Sequence, residues 1–161
     1  MRGNGNRNQE RTAKDMKYFI ITVLLIGCGA QQPADKEVIS SENAPAAIGP
    51  YSQAIRAGNT LYLAGQIAID PATGKMIEGG VEDQTHRVLK NIGAVLKEAG
   101  FTINDVVQSQ VFLSDLNNYD AMNGVYATYF KKNPPARAAM QVARLPLDAL
   151  VEIMVTAVRT K

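Results

Sequence analysis

Two ionisable residues sit where a charge needs a reason. Arg137 lies in an alternating run, Ala136-Arg137-Ala138-Ala139-Met140-Gln141-Val142, directly after Pro134-Pro135. Glu152 interrupts Leu150-Val151-Glu152-Ile153-Met154-Val155, otherwise an apolar strand pattern. A carboxylate inside such a strand must find a cation, a donor or water, or its pKa shifts. The connector Arg144-Leu145-Pro146-Leu147-Asp148-Ala149 is short enough to join two neighbouring strands. This spacing predicts an Arg and a Glu brought to one pocket by two adjacent strands. A guanidinium fork holds a carboxylate through two parallel charge-assisted bonds, and a Glu in an apolar strand can move protons. The same pattern also accommodates a structural ion pair, or two residues that each face solvent from a strand edge.

The elements that must carry these residues can be read in order. Asn43-Ala44-Pro45-Ala46-Ala47-Ile48-Gly49-Pro50-Tyr51 is rich in turn formers, and its two outer prolines stiffen the approach to Tyr51. Tyr51 suits either a pocket wall or a half-buried anchor at a strand start. Ser52–Ala57 and Thr60–Ile69 read as strands joined by the hairpin signal Gly58-Asn59. Gly65 interrupts the second strand, marking either a bulge or a close approach of ligand to backbone. Val81–Ala99 reads as a helix with an apolar stripe and a stop at Gly100, and its lone His86 falls on the solvent side. Asp105–Leu113 reads as a strand. Asp115 to Asn118 offer caps for a second helix reaching about Lys132. Met122, Val125, Tyr126, Tyr129 and Phe130 form its core stripe, and Asn123 borders that stripe, at a plain helix edge or within reach of a neighbouring subunit. Strands and helices in this order predict an α+β fold, with two helices on one face of a mixed sheet.

Composition narrows the function classes. The chain has 161 residues and a formal charge of +2, with one Cys and one His. A zinc cluster of ordinary ligand count and an internal disulfide are therefore excluded within one chain. Residues 1–28 carry five basic side chains against two acidic ones, whereas Val38–Lys161 carries eleven of each. The folded part thus lacks the basic excess that drives nucleic-acid binding. No phosphate-cradling loop is present, because Gly79-Gly80 lacks the flanking glycines and Lys such a loop needs.

The amino terminus has a basic segment, a short apolar run at Tyr18–Ile26, and then Gly27-Cys28-Gly29-Ala30. The run is too short to span a bilayer, which takes about 20 residues. Leu25-Ile26-Gly27-Cys28 resembles the bacterial lipoprotein signal, with Cys28 as the lipidated residue. The expectation is a signal over 1–28, a tether over 29–37 and a domain over 38–161. It makes the protein an exported, membrane-anchored one, cytoplasmic if the leader is not processed. Met16 is an alternative start, and an incidental Cys28 in an unstructured leader is the plainer alternative.

Asn43-Ala44-Pro45-Ala46-Ala47-Ile48-Gly49-Pro50-Tyr51-Ser52-Gln53, Ala64-Gly65-Gln66-Ile67, Pro135-Ala136-Arg137, and Ala143-Arg144-Leu145-Pro146 with Val151-Glu152-Ile153 resemble the Rid family. Its best-known branch is RidA, the reactive intermediate deaminases, also called YjgF-like proteins. The resemblance runs from about Val38 to Lys161. It implies a chorismate-mutase-like α+β fold and a homotrimer with sites at the subunit interfaces. It also implies cofactor-free hydrolysis of amino-acid-derived enamines and imines, such as 2-aminoacrylate and 2-iminopropionate, to 2-oxo acids and ammonia. Carried over by position, Arg137 binds the substrate carboxylate and Glu152 positions water. Tyr51 lines the pocket, the Gly65 backbone contacts ligand, and Asn123 stands at the interface. Two positions depart from the family pattern. Ala64 stands where many RidA members have Ser or Thr, and Ala139 where many have Cys, so a hydroxyl partner is missing and thiol-based regulation there is excluded. A non-catalytic trimer that binds small carboxylates through the same Arg is the competing expectation.

Overall fold

The chain is seen in a computed structural model that describes residues 35–159. The signal read over residues 1–28, with Cys28, lies outside the described residues, as does most of the tether. The first strand, β1 (Lys36–Ile39), begins ahead of the boundary expected at Val38. It pairs antiparallel with β2 (Ala54–Ala57), which turns through Gly58-Asn59 into β3 (Thr60–Leu63). Gly58 has φ 58°, a conformation glycine adopts without steric cost, so the hairpin forms where the dipeptide placed it.

The long strand expected over Thr60–Ile69 is broken. Regular pairing stops at Leu63, Ala64 N adds one bond to Gln53 O at 2.9 Å, and the chain bends at Ala68. It touches the sheet again only at a single bridge, Gln66 to Ile153. Ile69–Asp70 (β4) then pairs with Lys75–Met76 (β5) in a separate ribbon. The carbonyls this detour frees are taken up by a buried amide: Asn91 Nδ2 donates to Ile67 O at 3.2 Å and to Ile69 O at 2.9 Å.

Helix α1 (Val81–Glu98) follows the expected stripe, burying Val88, Leu89, Ile92, Val95 and Leu96. Glu82 and Asp83 in its first turn and Lys97 in its last complement the helix dipole. Gly100, with φ 75°, ends it by donating to Lys97 O while Phe101 donates to Leu96 O. Strand β6 (Val106–Leu113) leads through a short 3-10 turn into helix α2 (Tyr119–Tyr129). The turn is capped by Asp115, whose side chain accepts from Asn117 N at 2.9 Å. Strand β7 (Ala136–Gln141) and strand β8 (Val151–Val158) complete the sheet.

The six-stranded sheet runs β1-β2-β3-β8-β6-β7, with β6 and β7 parallel and every other pair antiparallel. It is a mixed sheet with both helices on one face, as the element order predicted. The main core lies between that face and the helices, centred on Leu61, Val111, Val151, Ile153, Leu89, Ile92 and Met122. A smaller cluster, Ile67, Ile69, Leu145 and Ala149 with Phe112 packed on it, covers part of the opposite face.

One expectation is overturned by the strand order. The Arg137 and Glu152 strands are not neighbours, because β6 lies between β7 and β8. The short connector bridges across β6, and Val142 donates to Leu113 O at 2.9 Å as it leaves β7.

Ile153 is fully buried at the centre of β8. Ile153→Ala is expected to cost about 2–5 kcal/mol, measured as a lowered midpoint in urea denaturation with an unchanged m-value.

Candidate active site

The sequence residues gather in two places. Side chains alternate across a sheet, and directly paired residues share a face. Val151, Ile153 and Val155 point into the helix-side core, so Glu152 points the other way, beside its partner Phe112. Arg137 pairs with Ser109, and Ser109 pairs with Val155, so Arg137 lies on the helix side. Within one chain, Arg137 and Glu152 face opposite sides of the sheet. The single pocket expected from two adjacent strands does not form.

The Glu152 half is a cleft of about 360 Å³ lined by Ile48, Tyr51, Ala64, Gly65, Ile67, Pro146 and Glu152. Its floor is made by the break in β3. The bridge at Gln66, with Gln66 N donating to Ile153 O at 2.9 Å and Ile153 N donating to Gln66 O at 3.0 Å, lays Gly65 beside Glu152. A Cβ at Gly65 would land on the Glu152 carboxyl group, so a side chain there would push that carboxyl aside. The sequence suggests a bulge or a ligand's approach at Gly65, and the group that approaches its backbone within the chain is instead the Glu152 carboxyl.

The cleft walls are set by buried amides. Gln53 Nε2 donates to Ser41 O, Ala44 O and Pro45 O, at 3.1, 3.3 and 2.7 Å. This fastens the proline-bounded loop that ends in Tyr51. The Tyr51 hydroxyl accepts from Ile48 N at 3.3 Å, curling that loop over the cleft. On the far wall, the Arg144 guanidinium grips Asp148 at 2.6 and 2.9 Å around the turn that carries Pro146. Leu147 and Asp148 in that turn both have positive φ, 54° and 55°. Such backbone is costly outside glycine and persists only where its surroundings hold it.

Glu152 is half-buried, with no cation in salt-bridge range among the described residues. Burial alone pushes its carboxyl above the usual range. It therefore keeps its proton to higher pH than a solvated Glu and can serve as a proton donor as well as an acceptor.

The Arg137 half lies at the sheet edge, on β7. Its Nη2 donates to the Tyr119 hydroxyl at 3.2 Å. The guanidinium carbon lies 4.6 Å from the Tyr126 ring centre and 5.7 Å from that of Tyr119. Asn123 is one turn along α2 from Tyr119. Hydrogen bonding from Asn123, and then from Arg137, lowers the Tyr119 phenol below its ordinary value. Among the described residues no carboxylate lies within salt-bridge distance of Arg137. Tyr119 and Tyr126 were not singled out as site residues from the sequence, where Tyr126 read as core. Their spacing with Asn123, at 119, 123 and 126, was the available signal, since it sets all three on one helical stripe.

Among the described residues no group of three or more His, Cys, Asp or Glu could hold a metal ion.

The family model described as Endoribonuclease L-PSP matches residues 41–159. A crystal structure of YyfA from Yersinia pestis, described as a protein of unknown function of the conserved Rid protein family, superposes with a TM-score of 0.76. The two are 49% identical, over 78% of this chain and 100% of that one. The chain belongs to the Rid family. Among curated Rid relatives, a RutC family protein of Pyrococcus horikoshii is 57% identical over 118 residues, 73% of this chain and 94% of the relative. The 2-iminobutanoate/2-iminopropanoate deaminase of Mus musculus is 48% identical over 124 residues, 77% of this chain and 92% of that protein.

The environment of Glu152 sets a pH signature for this Rid chain. Below the unfolded-state pKa, Glu152 is protonated in both states and adds no penalty. As pH rises through its raised folded-state value, the folded chain loses stability. Glu152→Gln is therefore expected to melt higher than wild type at neutral pH, with the difference vanishing in acid, measured by thermal denaturation across pH.

Proposed function

We propose that the protein is a reactive-imine deaminase whose site is assembled between protomers, Glu152 from one chain and Arg137 from the next. The observation that carries this reading is the pair of incomplete half-sites. One half offers a half-buried carboxyl in a cleft without a cation, and the other a held guanidinium without an anion. Their opposite facing within one chain leaves a second copy as the way to unite them. The helix-free face of the sheet suits such a contact. Tyr62 (53% exposed) and Val38 (61% exposed) are cross-strand partners of Ile55, and Met140 (39% exposed) pairs with Phe112 on the face that carries Glu152. Exposed apolar side chains grouped on one face mark an interaction surface. The closed arrangement we propose is a homotrimer, in which each interface repeats the same contact.

In this mechanism the Arg137 fork holds the carboxylate of a 2-imino acid. Water adds to the imine carbon as Glu152 takes one of its protons and passes it to nitrogen, giving a carbinolamine. The carbinolamine hydroxyl then gives its proton, by way of Glu152, to the amine as the C–N bond breaks and ammonia leaves. The products are a 2-oxo acid and ammonia, so atoms balance with water alone. An enamine substrate first takes a proton at carbon from the protonated Glu152, the form its burial favours. The name of the mouse relative supports this substrate class, and the cleft's volume suits a small 2-oxo acid.

A second reading is a trimer that binds small carboxylates without turning them over. Ala64 favours it, because the residue before Gly65 lines the cleft and presents no hydroxyl to water or substrate. Ammonia and pyruvate release from freshly generated 2-iminopropionate separates the two readings. Titration with 2-oxobutyrate tests binding regardless of turnover.

Glu152→Gln is expected to lower kcat by about 10²–10⁴-fold with the oligomer intact. Arg137→Ala alone is expected to lose carboxylate binding. Co-refolding the two variants should restore roughly a quarter of wild-type activity, since one random interface in four carries both native groups. No recovery in verified mixed oligomers would refute a shared site. Gly65→Ala is expected to keep stability within about 1 kcal/mol of wild type, because the colliding atoms end a flexible side chain. It should nonetheless cut activity as severely as losing Glu152, read by the same ammonia assay.

A further inference from the structure

We propose that Tyr119 and Tyr126 form a grip that fixes the plane of the Arg137 guanidinium, and so act as positioning residues for carboxylate binding. The inference rests on the reading of Arg137 as the carboxylate anchor, and it assigns that anchor's selectivity to α2. A free arginine side chain rotates about four bonds, and its fork recognises a carboxylate only when the plane is set. Three contacts set it here. The Tyr126 ring covers one face at 4.6 Å, the Tyr119 ring lies at 5.7 Å, and the Tyr119 hydroxyl takes one Nη2 proton. Five N–H groups minus that one leave four for a ligand.

Packing alone does not account for this cluster. Tyr126 is buried and stacks on Phe130 with ring centres 4.4 Å apart, a place that phenylalanine would fill. Its buried hydroxyl has only that of Ser109, the residue paired with Arg137 across the strands, to turn to, and neither makes a well-formed hydrogen bond among the described residues. A lone buried hydroxyl is destabilising. Two poorly paired hydroxyls beside a cation with no carboxylate partner among the described residues leave polar capacity around the guanidinium. Asn123 stands one turn along α2 from Tyr119, and its amide lowers the Tyr119 phenol below its ordinary value. The groups around Arg137 are thus two phenols and a hydroxyl. They orient the cation without neutralising it, so the guanidinium stays available to an incoming carboxylate.

The test uses the full chain. Tyr119→Leu and Tyr126→Leu should raise KM for 2-iminopropionate, and the Kd for 2-oxobutyrate, by roughly three- to thirtyfold. The kcat should stay within about twofold. Tyr126→Phe keeps the ring and should recover most of the affinity, whereas Tyr119→Phe should fall between wild type and Tyr119→Leu. A direct readout is hydrogen exchange at Arg137 Nε, followed by ¹⁵N NMR. Exchange should be slow in wild type and faster in both leucine variants. Tyr119 is solvent-exposed, so its variants fold even where Tyr126→Leu does not. Unchanged exchange in the Tyr119 and Tyr126 variants, or a fall in kcat at constant KM, overturns the grip. If wild type neither turns over imine nor binds 2-oxobutyrate, the deaminase reading fails, while the exchange measurement still decides whether the tyrosines hold Arg137.

Discussion

Strand alternation is the constraint from which the rest of this structure follows. Each step along β8 sends a side chain to the other face, so the apolar residues Val151, Ile153 and Val155 commit Glu152 to the helix-free side. The same rule, carried across β6 by pairing, commits Arg137 to the helix side. Moving Glu152 by one position would bury its charge in the main core and expose a core side chain, and both cost several kcal/mol. The facing of Glu152 is therefore as firmly specified as the core itself. A site that uses both Glu152 and Arg137 belongs, on the proposed reading, to an assembly rather than to one chain.

The Glu152 half depends on backbone as much as on side chains. Breaking β3 after Leu63 forfeits ladder hydrogen bonds, and buried amides replace part of them. Asn91 reaches from α1 to two carbonyls beyond the break, and Gln84 from the same helix accepts from Leu150 N at 2.8 Å just ahead of β8. Gln53 anchors the opposite wall with a single amide nitrogen shared among three carbonyls. These side chains lie within an apolar interior, where an unmet polar group is expensive, so each fastens its loop firmly. The cleft is consequently rigid at its base, with Tyr51 as its exposed rim.

The two halves also differ in how they treat charge. Glu152 is perturbed by burial, with no cation among the described residues to offset the loss of water. Arg137 is met by π faces and a phenol, which favour a cation without cancelling it. A weakly solvated carboxyl and an uncompensated guanidinium are complementary in sign and chemistry. That complementarity favours binding a carboxylate substrate next to a proton-transfer group, once the halves are joined.

Local order was legible in the residues. The Gly58-Asn59 hairpin, the α1 stripe with its Gly100 stop, and the mixed sheet with helices on one face all follow from turn chemistry and periodicity, which act over a few residues. The Rid motifs marked Tyr51, Gly65 and Glu152, and those three line one cleft. The break in β3 was not legible beyond the presence of Gly65, because it answers to the Glu152 carboxyl and to Asn91, both distant in sequence. Nor was the insertion of β6 between β7 and β8, since a short connector permits neighbouring strands and strands one apart alike. Tyr126 looked like any core aromatic until β7 brought Arg137 over its ring. By itself, the sequence determined most of the helix and strand segments and the motifs that the proposed site uses, because those depend on local spacing. Only the tertiary structure decided which of those residues share a face, because that depends on strand order and register between segments far apart in the chain.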